Sequence, residues 1–428
     1  MEPAILDVST PALAPEATAK PPSLLDSHYS WLRLLAALAI CTVGGVGMWS
    51  VVVVLPAVQK EFGLTRSEAS LSYTLTMLGF GLGGVLMGRL VDRLGVFRPL
   101  VSGACVICLG YIATAFAATH WQFAVAHGVL IGLLGSSISF GPMIADISLW
   151  FERRRGIAVA ICASGNYLAG TIWPPIVEHL VSTYGWRQTH VWIGLFCLAT
   201  MLPLSLALRR PSPASVTPGL APSASPSPVS VSKSPPLSPR ALQAVLAFAG
   251  VCCCLAMSMP QVHIVAYCGD LGYGVARGAE MLSLMLGFGI ISRLASGFIS
   301  DKIGGLRTLL LGSVLQAVAL VFYIPFDGLM SLYVISALFG LFQGGIVPSY
   351  AIIVRENFPA NEAGARVGLT LTATLVGMAL GGWLSGAIFD LTGSYAAAFI
   401  NGIVWNGVNI AIVLFLIVRT RKVSRRRT

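Results

Sequence analysis

Long apolar runs broken by short polar stretches dominate this chain. The runs lie at about 32–57, 69–91, 97–118, 121–147, 155–182 and 188–208, and again at about 240–268, 279–300, 305–324, 328–354, 360–390 and 395–418. Each reaches or approaches the ~20 residues that carry a helix across a ~30 Å hydrocarbon core. A helix also satisfies its own backbone in lipid, where no water can do so. The pattern therefore predicts an all-α membrane protein of twelve transmembrane helices, arranged six and six. Most interruptions are short, but 211–239 (PSPASVTPGLAPSASPSPVSVSKSPPLSP) is Pro/Ser-rich without apolar periodicity and reads as a flexible linker. Residues 1–30 read as a disordered tail for the same reason. The first run is too long for a signal peptide and lacks its basic flank. On this reading the chain consists of a tail (1–30), a six-helix bundle (31–210), a linker (211–239), a second six-helix bundle (240–418) and a basic tail (419–428).

One charged position interrupts the apolar pattern from within. Arg293 lies inside MLSLMLGFGIISRLASGFISDKIGGLR at 281–307. It is eight residues deeper than Asp301, roughly 12 Å along a helix and close to the bilayer midplane. A cation there is costly by at least ~2.5–3.5 kcal/mol, which is why such residues usually face a polar cavity. The seventeen acidic residues all fall in tails, in loops or at the ends of runs, so none is an obvious midplane counter-ion. A guanidinium fork matches a carboxylate in geometry and charge. Arg293 is thus the candidate receptor for a small organic anion, and a single midplane cation favours a monoanion.

Charge placement adds an orientation. Of the 27 Lys and Arg residues, 22 fall on the side shared by both termini and four, Lys60, Arg66, Arg187 and Arg277, on the other. The bias predicts cytoplasmic termini in a multi-pass protein of the plasma (cell inner) membrane. The net charge of +10 is spread over these short loops and does not indicate a nucleic-acid partner. With 56% hydrophobic and 10% charged residues and a mean hydropathy of +0.81, the composition excludes an ordinary soluble domain. The nine cysteines, including Cys252 to Cys254 and the Cys105/Cys108 pair, lie almost entirely in apolar runs and read as small hydrophobes. No cofactor or metal is implied. GFGLGG at 79–84 matches a dinucleotide fingerprint but sits inside an apolar helix with no preceding strand. Close helix packing through Gly79/Gly83, Gly84/Gly88, Gly377/Gly381 and Gly382/Gly386 explains it better. The absence of P-loop, HExxH and GxSxG patterns removes support for ATP-driven transport and for common hydrolases.

The two halves repeat. GRLVDRLGVFR (88–98) and GFISDKIGGLR (297–307) share Gly, Asp, a basic residue, Gly and Arg at the same offsets. A neighbouring register relates Gly128, Gly132 and Ser136 to Ser336, Gly340 and Gly344. Such a diagonal indicates two parallel copies of a six-helix unit. With Gly88, Leu90, Asp92, Arg93, Gly95 and Arg98 in place, the chain resembles the major facilitator superfamily. WFERRRGIAVAICASGN (150–166), MPQVHIVAYCGDLGYG (259–274) and GAIFDLTGSYAAAF (386–399) resemble its prokaryotic monocarboxylate-porter-like branch. The resemblance covers about 30–420. It implies a secondary transporter working by alternating access, as symporter or antiporter, with Arg293 matching the eighth-helix arginine that binds the substrate carboxylate. Two positions depart from the animal carriers. Gly289 stands where they have an aspartate, and Trp49, by gapless matching, where they have a lysine, both implicated in proton coupling. The lysine that oxalate-type relatives carry on the eleventh helix is also missing, and that span offers Thr370, Thr372 and Thr374.

Further candidates for the substrate site are His263, Tyr267, Asn166, Tyr167, Tyr73, Gln343 and Trp49, with His127 weaker; each of the two histidines is equally readable as a hydrogen-bonded packing residue. Candidates for a two-state gate are Asp92, Arg93, Arg98, Asp146, Arg153, Asp301, Lys302 and Arg307, with Arg93 or Arg153 as the partner of Asp146. The same charges also suffice to fix topology. Bends for rocking are expected at Pro56, Pro142, Pro174, Pro175 and Pro348. The expected partners are the small organic anion, protons as coupling ion and membrane lipid; the expected state is a monomer. Export of a drug-like solute, or a non-transporting sensor or scaffold, are the alternative readings.

Overall fold

A computed structural model describes residues 25–210 and 237–425. The parts of the expected tails and linker at 1–24, 211–236 and 426–428 lie outside the described residues. Within them are twelve helices long and apolar enough to cross a membrane. Numbered as spans, they are span 1 (His28–Phe62), 2 (Arg66–Leu94), 3 (Phe97–Ala115), 4 (His120–Ser148), 5 (Arg155–Tyr184), 6 (Trp186–Leu206), 7 (Pro239–Asp270), 8 (Val275–Ile303), 9 (Gly305–Phe322), 10 (Leu329–Asn357), 11 (Glu362–Thr392) and 12 (Tyr395–Thr420). Large apolar side chains such as Leu109, Phe298 and Met330 stand exposed on the outside, as a bilayer-facing surface requires.

Local chemistry sets the ends. Gly95 and Gly304 close spans 2 and 8 at φ 73° and 83°, a region that L side chains avoid. This is why both copies of the repeated loop carry glycine at that offset. Packing repeats as well. A Cβ on Gly132 would stand 2.8 Å from the Thr76 carbonyl oxygen, and one on Gly340 would stand 1.9 Å from that of Met285. The two contacts are equivalent between the halves, span 4 on span 2 and span 10 on span 8. Gly79, Gly83, Gly377 and Gly381 likewise admit neighbouring backbone, whereas Gly84 and Gly88 meet nothing within 4 Å.

Several details depart from the sequence expectations. Residues 28–30, assigned to the tail, begin span 1, and Asp26 is tied to the loop after span 4 through its N–H to Trp150 O at 3.1 Å. The helix of span 12 runs on to Arg425, past the expected limit of 418. Helix interruptions fall mainly at glycines. Span 1 divides at Gly45 and span 10 at Gly344 and Gly345, while Pro174 and Pro175 lie inside an uninterrupted helix. Span 4 passes through a π-helical segment (Ala126–Gly135) and a 3₁₀ turn (Ser136–Ser139) before Pro142.

The halves meet along two seams. Span 2 lies on span 11, and span 5 on span 8. On the first seam, Thr74 donates to Ala379 O at 2.9 Å, and a Cβ on Gly81 would touch Leu375 at 3.2 Å. Gly88, two turns further on the same face of span 2, faces open space, as do Gly364 and Gly368 on span 11. On the second seam, Ser283 donates to Thr171 O, and a Cβ on Gly289 would strike the Tyr167 ring at 2.3 Å. Gly156 and Gly297, nearer the termini, again meet nothing. The bundles are therefore closed on the face opposite the termini and parted on the face that carries them.

Candidate functional site

Arg293 stands where the second seam gives out. It is ten residues before the end of span 8, roughly 15 Å along the helix. Its Nη1 donates to Ala163 O of span 5 at 3.1 Å, and its guanidinium lies 4.2 Å from the centroid of the Tyr167 ring. A cation over an aromatic face is stabilised by ~0.5–2 kcal/mol. Gly289, one turn earlier, is what lets Tyr167 come so close. The Nε is buried without an acceptor, and no carboxylate among the described residues forms an ion pair with Arg293. A buried N–H without a partner costs about 1–3 kcal/mol, which an incoming acceptor would relieve.

The structure places Asn166, Tyr167 and Trp49 around the same junction of spans 1, 5 and 8. Trp49 donates through Nε1 to Asn166 O at 3.2 Å, and its ring closes over Gly170. Asn166 presents a buried, unpartnered Oδ1 beside the break at Gly45. Among the described residues, none of the other candidates forms a hydrogen bond or a cation–π contact with Arg293. His263 donates from Nε2 to Gly382 O at 2.8 Å, joining spans 7 and 11. Tyr267 packs on Tyr395 and Phe399 near the closed face. Tyr73 lies against Gly382 with its hydroxyl buried and unpartnered. Gln343 accepts from Gln261 at 2.9 Å, leaving one amide nitrogen and one amide oxygen of that pair without partners. His127 donates through Nδ1 to Thr76, whose hydroxyl is itself committed to Ser72 O.

At the terminal face Asp92, Arg93, Arg98, Arg153, Asp301, Lys302 and Arg307 are exposed. Asp146 is not among them, and its partner is neither Arg93 nor Arg153. It is buried against Arg33, which reaches it through Nε and Nη2, both at 2.9 Å, and stacks 4.4 Å from the centroid of the Trp150 ring. Arg33 stands so close to the start of span 1 that in the sequence it counts with the loop charges. Arg66, Asp270 and Asp390, which are not among the sequence candidates, form the tie between halves on the closed face. Their signal was available: on a side with only four Lys and Arg residues, one arginine and two aspartates occupy the ends of spans 2, 7 and 11.

Two six-helix bundles of parallel orientation, closed over one face of the membrane and parted at the other around Arg293, a cation that no acid among the described residues pairs, define a two-bundle membrane carrier architecture. The chain belongs to the Major Facilitator Superfamily, whose profile matches residues 35–335 and 296–428. It is 26% identical to Monocarboxylate transporter 13 of Bos taurus, over 89% of this chain and 87% of the other. It is also 26% identical to the uncharacterized MFS-type transporter YcxA of Bacillus subtilis (82% and 86% covered). With the agnestins efflux protein AgnL12 of Paecilomyces divaricatus it shares 24% identity (90% and 87%). Among solved structures, a bacterial homolog to the human lysosomal transporter Spinster superposes with a TM-score of 0.66 at 15% identity, covering 93% of this chain and 97% of that one.

Proposed function

We propose that the protein is a secondary carrier that moves a small monocarboxylate or related organic anion across the plasma membrane by alternating access. Its termini would be cytoplasmic, and the conformation described would be open to the cytoplasm. The observation that carries this reading is Arg293: a partly buried cation with a buried, unpartnered Nε at the level where the halves part, held by a carbonyl and a ring but by no acid. Because Nη1 is taken by Ala163, the Nε–Nη2 edge is the one left for a ligand. That edge is the pair with which Arg33 grips Asp146 in the same chain. A carboxylate bound there would bridge spans 5 and 8, one from each half, and so draw the parted bundles together.

Proton coupling in this reading does not run through the positions used by the animal carriers. Tyr167 fills the space beside Gly289, and Trp49 is packed over Gly170. Uptake into proteoliposomes of a labelled panel of monocarboxylates, dicarboxylates and neutral solutes tests the substrate class; saturable uptake confined to monocarboxylates is expected. Uptake of neutral amphipathic solutes alone would favour the efflux reading, which the name of the fungal relative AgnL12 keeps in play. An imposed pH step without a substrate gradient tests the ion. Accumulation that follows the step identifies protons as the coupling ion, and accumulation that ignores it excludes them.

A further inference from the structure

The closed face is held by polar groups that lie apart from the Arg293 site. Span 2 opens with a capping box in which Thr65 Oγ1 accepts from Glu68 N at 3.3 Å and Glu68 Oε2 from Thr65 N at 2.8 Å. The next two amides, Arg66 N and Ser67 N, belong to the donors that a helix start cannot satisfy internally. Both are taken by the other half: Asp390, at the end of span 11, accepts them at 2.8 Å through Oδ1 and Oδ2 respectively. A carboxylate is also favoured there by the helix dipole. The Arg66 side chain reaches back across the same boundary. Its Nη2 donates to Asp270 Oδ2 at 2.5 Å, and that oxygen also accepts from the Tyr395 hydroxyl at 2.6 Å. Gly386, one turn before Asp390, has no side chain to hold the two helices apart.

Among the described residues, Arg66–Asp270 is the one ion pair that joins the two halves; the other four lie within a half. The Asp270 side chain is 45% exposed already, and that of Arg66, 10% exposed beside the Phe389 and Tyr395 rings, returns to water once the halves separate. Such a contact holds without being costly to break, because water replaces the lost bonds. We propose that Arg66, Asp270 and Asp390 form a releasable latch. Closed, it biases the protein towards the conformation open at the terminal face; it must break before the protein opens to the other side. The inference rests on the alternating-access reading and not on which solute is carried.

Hydrogen–deuterium exchange of the full chain in lipid nanodiscs reads both faces at once. In Asp390→Asn, exchange of the amides at 64–72 is expected to rise about tenfold or more, the factor that one charge-assisted hydrogen bond represents. Exchange at 84–95 and 297–304 should fall in the same sample as the terminal face closes. Arg66→Gln, which leaves the Asp390 bonds in place, should give the same paired change more weakly. The exchanged pair Arg66→Asp with Asp270→Arg should move back towards wild type relative to Arg66→Asp alone. Faster exchange confined to 64–72, with the terminal face unchanged in both single variants, overturns the latch and leaves an ordinary helix cap. Solute uptake by the wild type reconstituted into proteoliposomes of the same lipid separates the two readings. Uptake with no paired change removes the latch alone, and a paired change without uptake removes the carrier reading alone.

Discussion

Arg33 and Arg293 both lie within apolar spans, and what surrounds each decides what it can do. Arg33 is 1% exposed and answered in full, with a carboxylate across two nitrogens, a tryptophan face and the carbonyl of Arg210 at 3.2 Å. Breaking a buried pair strands the survivor, so Asp146→Asn should cost about 3–5 kcal/mol, read as a lower thermal unfolding midpoint in detergent. Replacing both members by apolar residues of similar volume should recover most of that loss. Arg293 lacks such an answer, and its loss should leave the unfolding midpoint nearly unchanged. The sequence made Arg293 conspicuous because it sits in the middle of a run. It hid the Arg33 pair, since both members stand near the ends of their runs and 113 residues apart, where an ion pair and two loop charges read alike.

Glycines carry the logic of the helices. Gly340→Ala would press a methyl into the Met285 carbonyl, at 1.9 Å, and overpacking of that kind costs about 1–3 kcal/mol or more; thermal unfolding should show it directly. Gly88→Ala, in open space here, should leave stability unchanged and yet slow transport, because span 2 must approach span 11 at that level when the terminal face closes. Equal uptake rates for Gly88→Ala and wild type would remove that step. Run lengths, the six-and-six plan and most of the small-residue packing pairs were legible from periodicity and spacing. The breaks were not. Gly45 interrupts a helix while Pro174 and Pro175 do not, since a break depends on which neighbouring span can take up the freed backbone, and no local pattern records that.

At the scale of the molecule, the features combine into a clamp with one closed end. The seams between halves run from the Arg66 latch down to Gly81 on span 2 and to Arg293 on span 8, then stop. The repeat made two parallel bundles legible from sequence, but not which face would be shut, because loop charges give orientation and say nothing of conformation. The account turns on one cation placed where the halves separate. Uptake of a labelled monocarboxylate into proteoliposomes, compared for wild type, Arg293→Ala and Arg293→Lys, tests it most directly. Uptake should collapse in the alanine variant by about a hundredfold, as loss of a buried charge-assisted pair implies, with poor rescue by lysine, which lacks the planar fork. Wild-type rates in both variants would contradict the account and take Arg293 out of the path of the solute.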